Sequence, residues 1–292
     1  MTKTQADQNQ IRWLLDAATS RFKSVSDTPK LDAELLLCQI LDCTRTYLFT
    51  WPDKVLEESQ SKQFEQLCLR RELGEPIAHI VGEREFWTLS LDVNPSTLIP
   101  RPDTEILVEQ ALKIAQSFSH DETTSTLKGL DLGTGTGAIA LALASELAKW
   151  QWLGVDFSPE AVELARQNQS KNNIKNCHFV QSDWFSNLDD TRFDLIVSNP
   201  PYIDGDDPHL EEGDVRFEPL TALVAEEKGL ADIRKILQQG RSYLIETGAI
   251  LIEHGYRQGV EVRDLFKQHG YLRVHTIKDL SGNDRVSIGY LK

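Results

Sequence analysis

The sequence lacks any apolar stretch that approaches the roughly 20 residues a helix needs to cross a bilayer. Its opening segment, MTKTQADQNQ, is polar and has no apolar core of the kind found in secretory signal peptides. We therefore expect no association with a membrane and a cytoplasmic location. Because termini without anchoring contacts rarely order, the first eight residues are expected to be disordered.

Cysteine is scarce: the 292 residues include four, Cys38, Cys43, Cys68 and Cys177. None belongs to a CxxC pair, and none has a histidine at the spacing of a metal ligand. This pattern is typical of reduced, buried thiols in a cytoplasmic protein. We expect no structural zinc and no catalytic metal.

Basic residues are also few, with 31 Lys and Arg against 45 Asp and Glu, which gives a formal net charge of -14 and a pI near 5.0. Proteins that hold nucleic acid gain much of their affinity by neutralising phosphates with basic side chains. No dense Lys/Arg cluster stands out here. The charge balance therefore disfavours stable nucleic-acid binding and favours a protein or small-molecule partner.

The chain divides into an N-terminal helical part and a longer part in which strands and helices alternate. Helical spacing of apolar residues predicts helices around Ile11–Ala18, after Thr28 as N-cap with Pro29 at the first helical position, and over Leu56–Leu73. Alternating apolar residues between Gly82 and Pro100 predict a β-hairpin. We predict a helical bundle over residues 1–78, a hairpin linker over 79–104 and a large domain over 105–292.

Within the large domain, the polar segment Ser119–Lys128 predicts a surface loop, and short apolar strands then alternate with helices. Alternation of this kind predicts an α/β fold with a mostly parallel sheet that is covered on both faces. The predicted strands are Gly129–Leu132, Trp152–Val155, His178–Gln181, Phe193–Ser198, Ala249–Glu253, Tyr271–Ile277 and Arg285–Tyr290.

A glycine-rich loop, Gly133-Thr134-Gly135-Thr136-Gly137, follows the first predicted strand and opens a helix. Ligands of such sheets bind outside the carboxyl ends of the strands, and glycines let a ligand lie against bare backbone. The spacing is G-x-G-x-G, not the G-x-G-x-x-G that seats a pyrophosphate. The preceding Asp131 would repel a pyrophosphate but suits the cationic methionine end of S-adenosylmethionine. A simple tight turn is the alternative interpretation.

Acidic residues also end the next two predicted strands. Asp156 can accept hydrogen bonds from both hydroxyls of a ribose. Asp183 can accept from an adenine amine while Trp184 packs against the adenine ring. An ordinary strand-end aspartate and a core tryptophan are the alternatives, but together with the glycine loop these side chains complete a nucleoside pocket.

The most specific motif is Asn199-Pro200-Pro201-Tyr202, directly after the fourth predicted strand. Two prolines fix the backbone and remove N–H donors, which leaves local carbonyls free to accept. A planar nitrogen is a poor nucleophile because its lone pair is delocalised. If the Asn199 side-chain oxygen and the Pro200 carbonyl accept its two hydrogens, the nitrogen is held in line with a methyl group while Tyr202 stacks on the flat substrate.

This motif predicts methylation of a planar nitrogen and leaves the substrate open between a glutamine amide and the exocyclic amine of adenine. An adenine-N6 nucleic-acid methyltransferase would normally bring a basic recognition region, which the chain lacks. A methyltransferase for a glutamine of a ribosomal protein is a closer alternative. A non-catalytic nucleotide-binding regulator would leave the residues from Asn199 to Tyr202 without a purpose.

With these motifs, the chain resembles the HemK/PrmC family of release-factor glutamine methyltransferases over nearly its whole length. The segments outside the shared methyltransferase motifs make the resemblance specific. They are Gly74–His79, Arg84–Trp87, Leu98–Glu105, Val215–Pro219, Ala222–Leu223, Glu253–Gly255 and Asn283–Arg285.

The resemblance implies transfer of a methyl group from S-adenosylmethionine, giving S-adenosylhomocysteine, to the side-chain nitrogen (N5) of the Gly-Gly-Gln glutamine in class 1 peptide chain release factors, and so an effect on translation termination. It implies a class I, Rossmann-like methyltransferase domain with a seven-stranded, mostly parallel sheet, a hairpin linker and a helical N-terminal domain that docks the substrate. It maps the cofactor loop to Gly133–Gly137, the ribose acid to Asp156, the adenine side to Trp184 and the substrate clamp to Asn199–Tyr202. We expect a monomer, and the role of His254 stays open.

Overall fold

The computed structural model describes residues 9–118 and 126–292. The first eight residues and most of the predicted loop Ser119–Lys128 therefore lie outside the described residues. The chain forms two compact units. One consists of Met1–Glu83 together with Pro208–Phe217, and the other consists of Arg84–Asp207 together with Glu218–Lys292.

The first unit is helical. Its helices are α1 (Ile11–Phe22), α2 (Pro29–Leu41), α3 (Arg45–Thr50), α4 (Glu58–Glu72) and α5 (Ile77–Val81). The three predicted helices correspond to α1, α2 and α4, and the apolar sides of these helices form one core. Helices α3 and α5 were not predicted, because six and five residues are too few to show a helical period.

A buried ion pair joins α2 to α4. Nε of Arg71 donates to Oδ2 of Asp32 at 2.7 Å, and both side chains are almost fully buried. Nη1 donates to the carbonyls of Gly74 and Glu75, and Nη2 donates to that of Val25, so each guanidinium nitrogen has an acceptor. Within the same unit, Asp214 from the excursion Pro208–Phe217 lies 3.6 Å from Arg71. Arg71 therefore anchors both the helices and this excursion.

Helix α2 begins where the sequence predicts, with Pro29 at its first position after Thr28. The predicted capping bond is absent, since the Thr28 hydroxyl donates to Oδ1 of Asp32 at 3.4 Å and accepts no backbone N–H. The capping box belongs to α4 instead, where Glu57 and Gln60 exchange bonds with each other's backbone N–H groups.

The second unit contains a seven-stranded sheet and, except for Glu83, the hairpin of β1 (Glu83–Phe86) and β2 (Leu89–Asp92). The strands of the large sheet are β3 (Leu127–Leu132), β4 (Trp150–Asp156), β5 (Cys177–Gln181), β6 (Phe193–Ser198), β7 (Leu244–Glu253), β8 (Leu272–Lys278) and β9 (Asp284–Tyr290). Their order is β5-β4-β3-β6-β7-β9-β8. All seven predicted strands are present, and the predicted mostly parallel sheet is confirmed. The reversal of β9, which is antiparallel to both of its neighbours, was not predicted.

Helices cover both faces of the sheet. Helices α6 (Glu105–Ala115), α7 (Ala138–Glu146) and α8 (Pro159–Lys171) contribute to one apolar core, and α9 (Ala231–Tyr243) and α10 (Gly259–Gln268) contribute to the other. Helix α7 is apolar on all sides, with every residue from Ala138 to Ala144 buried. Such a helix is stable only when it is enclosed, which fixes the position of the glycine loop before it.

Within the second unit, the hairpin is bound to helix α8. The buried Asn168 accepts from the backbone N–H of Asp92 at 2.7 Å and donates to the carbonyls of Asp92 and Thr136. Lys171 forms an ion pair with the Asp92 carboxylate at 2.6 Å. One asparagine therefore ties the hairpin and the glycine loop to the same helix.

Within residues 9–118 and 126–292, no helix is long and apolar enough to span a membrane.

Candidate active site

A cavity of about 260 Å³ opens at the carboxyl ends of β3, β4, β5 and β6. It lies where the strand order reverses between β3 and β6, the position at which open α/β sheets bind ligands. Each predicted motif contributes to its wall. The predicted residues that line it are Gly133, Thr134, Gly135, Thr136, Asp156, Asp183, Trp184, Asn199 and Pro201.

The glycine loop has a backbone that other residues adopt with difficulty. Gly133, Gly135 and Gly137 have φ angles of 71°, 53° and 84°, all in the left-handed region. The N–H of Gly135 donates to Oδ2 of Asp156 at 2.9 Å, which draws the loop to the end of β4. Gly137 is the N-cap of α7. The G-x-G-x-G spacing therefore places a glycine at every second position of the loop, where the backbone φ is left-handed.

Asp131, expected near the methionine end of the cofactor, does not line the cavity. Its side chain is completely buried, and Oδ2 accepts from the Thr134 hydroxyl at 2.6 Å and from the Ala140 N–H at 3.2 Å. Burial raises the pKa of this carboxyl to about 7, against the opposing effect of those two donors. In this structure Asp131 braces the glycine loop against the start of α7.

Asp156 ends β4 and faces the cavity. Oδ1 accepts from the N–H of Ser158 and Oδ2 from that of Gly135, both at 2.9 Å. Burial raises its pKa, although the backbone donors oppose the shift. Each carboxylate oxygen has a second lone pair, so the group can also accept from a diol.

The ring of Trp184 forms another wall, and this residue has a left-handed φ of 51°. Its side chain lies beside the carboxyl group of Asp232, the second residue of α9, and Asp232 also lines the cavity. Asp183 is exposed, and its carboxylate is held by Lys235 at 2.8 Å. The structure therefore adds Asp232 as an acid beside the indole, which sequence order hides because it comes from a distant helix.

Asn199 lines the cavity next to the cofactor loop, and its Nδ2 donates to Oγ1 of Thr104 at 3.2 Å. Within the described residues, no donor contacts Oδ1 of Asn199 or the carbonyl of Pro200. The two predicted acceptors are therefore available. Pro200 and Tyr202 do not themselves line the cavity wall.

The side chain of Tyr202 is partly buried, and its hydroxyl donates to Oε1 of Glu253 at 3.5 Å. Burial raises the pKa of this phenol. The backbone carbonyl of Tyr202 accepts from Nε2 of Gln258 at 3.0 Å, and Gly229 leaves no room for a β-carbon beside it. Both ends of the tyrosine are thus fixed, the hydroxyl by Glu253 at the end of β7 and the carbonyl by Gln258 just after it.

The cavity includes residues to which the sequence assigned no role: Thr97, Arg101, Thr104, Phe157 and Asp232. Arg101 and Thr104 belong to the segment Leu98–Glu105, which carried part of the family resemblance. The buried Glu218 holds this segment in place, because it accepts from the Ile99 N–H at 2.9 Å and from Arg101 at 2.6 Å. Only the fold brings Glu218 next to this segment.

His254 is completely buried and lies away from the cavity wall. Its Nδ1 contacts the carbonyl of Gly255 at 3.0 Å and its Nε2 contacts Oγ of Ser287 at 2.9 Å. Burial lowers its pKa, which favours the neutral ring. These contacts link β7 to β9 and give His254 a structural role. The four cysteines are free, and in the part of the chain that the structure describes no cluster of His, Cys, Asp and Glu could hold a metal ion.

Two family models match this chain. The model described as the PrmC N-terminal domain matches residues 14–82, and one described as a methyltransferase domain matches residues 123–282. The first match falls on the helical part, and the second covers six strands of the large sheet and ends before β9.

Relatives with the name release factor glutamine methyltransferase match almost end to end. The Aliivibrio fischeri protein is 54% identical over 90% of this chain and 91% of its own. The Vibrio cholerae protein is 55% identical over 95% and 96%, and that of Escherichia coli is 50% identical over 95% and 97%.

Solved structures support the fold. The catalytic domain of hMettl16, in complex with the MAT2A 3'UTR hairpin 1, has a TM-score of 0.55 at 14% identity and covers 82% of this chain and 84% of that one. A methyltransferase from Pyrococcus furiosus has a TM-score of 0.50 at 19% identity, covering 70% and 89%. These likenesses confirm the predicted class I methyltransferase fold.

Proposed function

The chain belongs to the family of release factor glutamine methyltransferases, and on that premise we propose that it methylates the side-chain nitrogen of the glutamine in the Gly-Gly-Gln motif of class 1 peptide chain release factors. The enzyme is an S-adenosylmethionine-dependent methyltransferase. The product pair is N5-methylglutamine and S-adenosylhomocysteine.

The residues around the cavity fit this cofactor. The carboxylate of Asp156 suits a ribose diol, and Trp184 offers a flat apolar face for adenine. The left-handed glycines leave open backbone at the loop between them. When bound, S-adenosylmethionine supplies a methyl group activated by an adjacent sulfonium. No metal is needed for this transfer.

One observation carries the proposal about the substrate: the Asn199 amide is fixed through its nitrogen, and its oxygen is left as an acceptor at the cavity. The Pro200 carbonyl provides the second acceptor. A primary amide has two N–H hydrogens, and two fixed acceptors hold its plane and restrict its rotation. As charge develops on the nitrogen, the same dipoles stabilise it without reorganising.

The proposal extends to the setting of the enzyme. We infer that the helical N-terminal domain, proposed to span residues 1–78, docks the release factor and that the linker is residues 79–104. With a net charge of -14, the chain suits a protein substrate rather than a stable complex with nucleic acid. A cytoplasmic monomer is the state we propose.

Mass spectrometry of a purified class 1 release factor, incubated with the enzyme and S-adenosylmethionine, tests the proposal. We expect a gain of one methyl group on the Gly-Gly-Gln peptide, absent when that glutamine is replaced by alanine. Asn199→Ala enzyme serves as the inactive control. If protein that still binds the cofactor leaves this peptide unmodified while methylating a ribosomal protein or an adenine, the proposed substrate is wrong.

A further inference from the structure

A buried carboxyl group lies behind the wall that carries Asn199. Glu253, the last residue of β7, is only 2% exposed. Its Oε1 accepts from the Tyr202 hydroxyl at 3.5 Å, and the Thr104 hydroxyl lies beside the carboxyl group. Within the described residues, Oε2 of Glu253 is buried and has no hydrogen-bond partner. This oxygen therefore has the capacity to take the Thr104 hydrogen.

Thr104 stands between the carboxyl group and the amide of Asn199. Its side chain is almost completely buried, and Oγ1 accepts from Nδ2 of Asn199 at 3.2 Å. A threonine hydroxyl has one hydrogen to donate, whereas an ionised carboxylate can only accept. When Glu253 takes that hydrogen, the Thr104 oxygen can only accept from Asn199. The three groups then form a chain of hydrogen bonds with one direction.

This direction matters because an asparagine amide is nearly symmetric in shape. A half-turn of the side chain exchanges Oδ1 and Nδ2 at almost no steric cost. In one orientation Oδ1 faces the cavity and accepts from a substrate amide. In the other, the Asn199 NH₂ group would oppose the N–H hydrogens of the substrate. Asn199 itself does not distinguish the two, so a neighbour must.

We propose that Glu253 is a positioning residue that acts through Thr104 to hold Asn199 with its oxygen toward the substrate nitrogen. The inference rests on the proposed function, since it explains how the clamp for a planar amide is set. Tyr202, held by the other oxygen of the same carboxylate, is positioned together with Asn199. One buried carboxylate thus orients both side chains of the substrate clamp.

The charge of Glu253 decides the direction of the chain. Burial raises the pKa of Glu253 to about 7, and the negative charge of Asp103 adds to this rise. The hydroxyls of Thr104 and Tyr202 and the positive charge of Arg285 act in the opposite direction. A protonated Glu253 can donate to Thr104, which then donates to Asn199 and turns the amide around. We expect kcat to rise with pH through this range, because only the ionised form fixes the productive direction.

Three variants separate positioning from packing. Thr104→Val keeps the shape but removes the hydroxyl, and Thr104→Ser keeps the hydroxyl. We expect Thr104→Val to lower kcat by about tenfold or more. Its cofactor Kd should stay within about twofold of wild type, and Thr104→Ser should recover most of the rate. Glu253→Gln should abolish the rise of kcat with pH. Combined with Thr104→Val, it should lower kcat little further, because the effects of two substitutions in one hydrogen-bond network do not add. Additive losses, or an unchanged pH profile in Glu253→Gln, would overturn the inference.

A second measurement does not depend on the release factor. With asparagine labelled by ¹⁵N, the side-chain NH₂ signal of Asn199 is identified by its absence in Asn199→Ala. In wild-type protein at high pH we expect one hydrogen of this group to be protected from exchange, and Thr104→Val should remove the protection. An Asn199 signal that is unprotected in wild type rejects the positioning chain. If the signal is protected but the protein fails to methylate release factors, the proposed function is rejected, while the hydrogen bonds from Glu253 through Thr104 to Asn199 are supported.

Discussion

Removing the carboxylate of Asp156 tests whether this residue holds the cofactor ribose. In the structure each oxygen already accepts one backbone N–H, from Ser158 and Gly135, and retains a lone pair toward the cavity. Asp156→Ala removes these acceptors together with the contact to the ribose.

The expected magnitude follows from the charge on the acceptor. Hydrogen bonds to a charged group contribute about 1.5–3 kcal/mol, and about 1.4 kcal/mol corresponds to a tenfold change in affinity. The Kd for S-adenosylmethionine should therefore rise on the order of 10- to 100-fold in Asp156→Ala. Asp156→Asn keeps the shape of the side chain and one acceptor oxygen. Its Kd for S-adenosylmethionine should therefore lie between those of Asp156→Ala and the wild type.

Isothermal titration calorimetry with S-adenosylmethionine measures the affinity, and thermal unfolding without ligand checks that the fold is intact. Asp264→Ala is the matched control, because it removes the same charge from an exposed pair with Lys267 on α10. It should leave the Kd unchanged. A Kd for folded Asp156→Ala within twofold of the control would reject the assignment of the ribose to Asp156.

Three other substitutions probe catalysis and stability. Asn199→Ala should lower kcat by about 100-fold or more with little change in cofactor Kd, since it removes a preorganised acceptor; turnover near the wild-type rate would refute the clamp. Arg71→Ala should destabilise the helical unit by about 3–5 kcal/mol in denaturant unfolding, because it leaves Asp32 buried and unpaired. A loss below about 1 kcal/mol would contradict that view. Burial raises the pKa of Asp131 from 3.8 to about 7, so the folded state binds its proton more tightly and stability falls as pH rises through this interval. Asp131→Asn should flatten the curve of unfolding free energy against pH between about 4 and 7, and an unchanged curve would show that Asp131 is not responsible.

The sequence alone determined the local features of the fold. Strands such as Phe193–Ser198 are apolar except for Asp194 and the final serine, and the loop Gly133–Gly137 requires dihedral angles that favour glycine, so composition and spacing identify both. The Asn-Pro-Pro-Tyr motif could likewise be placed at a strand end because proline stops the ladder. Short helices such as Arg45–Thr50 escaped prediction, since a helix of one or two turns shows no period.

The tertiary structure decided which distant residues share the site. Thr104, Asp232 and Glu253 come from three separate elements, and no spacing rule relates them to Asn199 or Trp184. The structure also placed Asp131 under the glycine loop and showed that β9 runs antiparallel to both of its neighbours. Periodicity reports which face of an element is apolar, but the partner of a polar atom depends on how the elements pack. Hydrogen bonds between elements distant in sequence therefore had to be read from the structure.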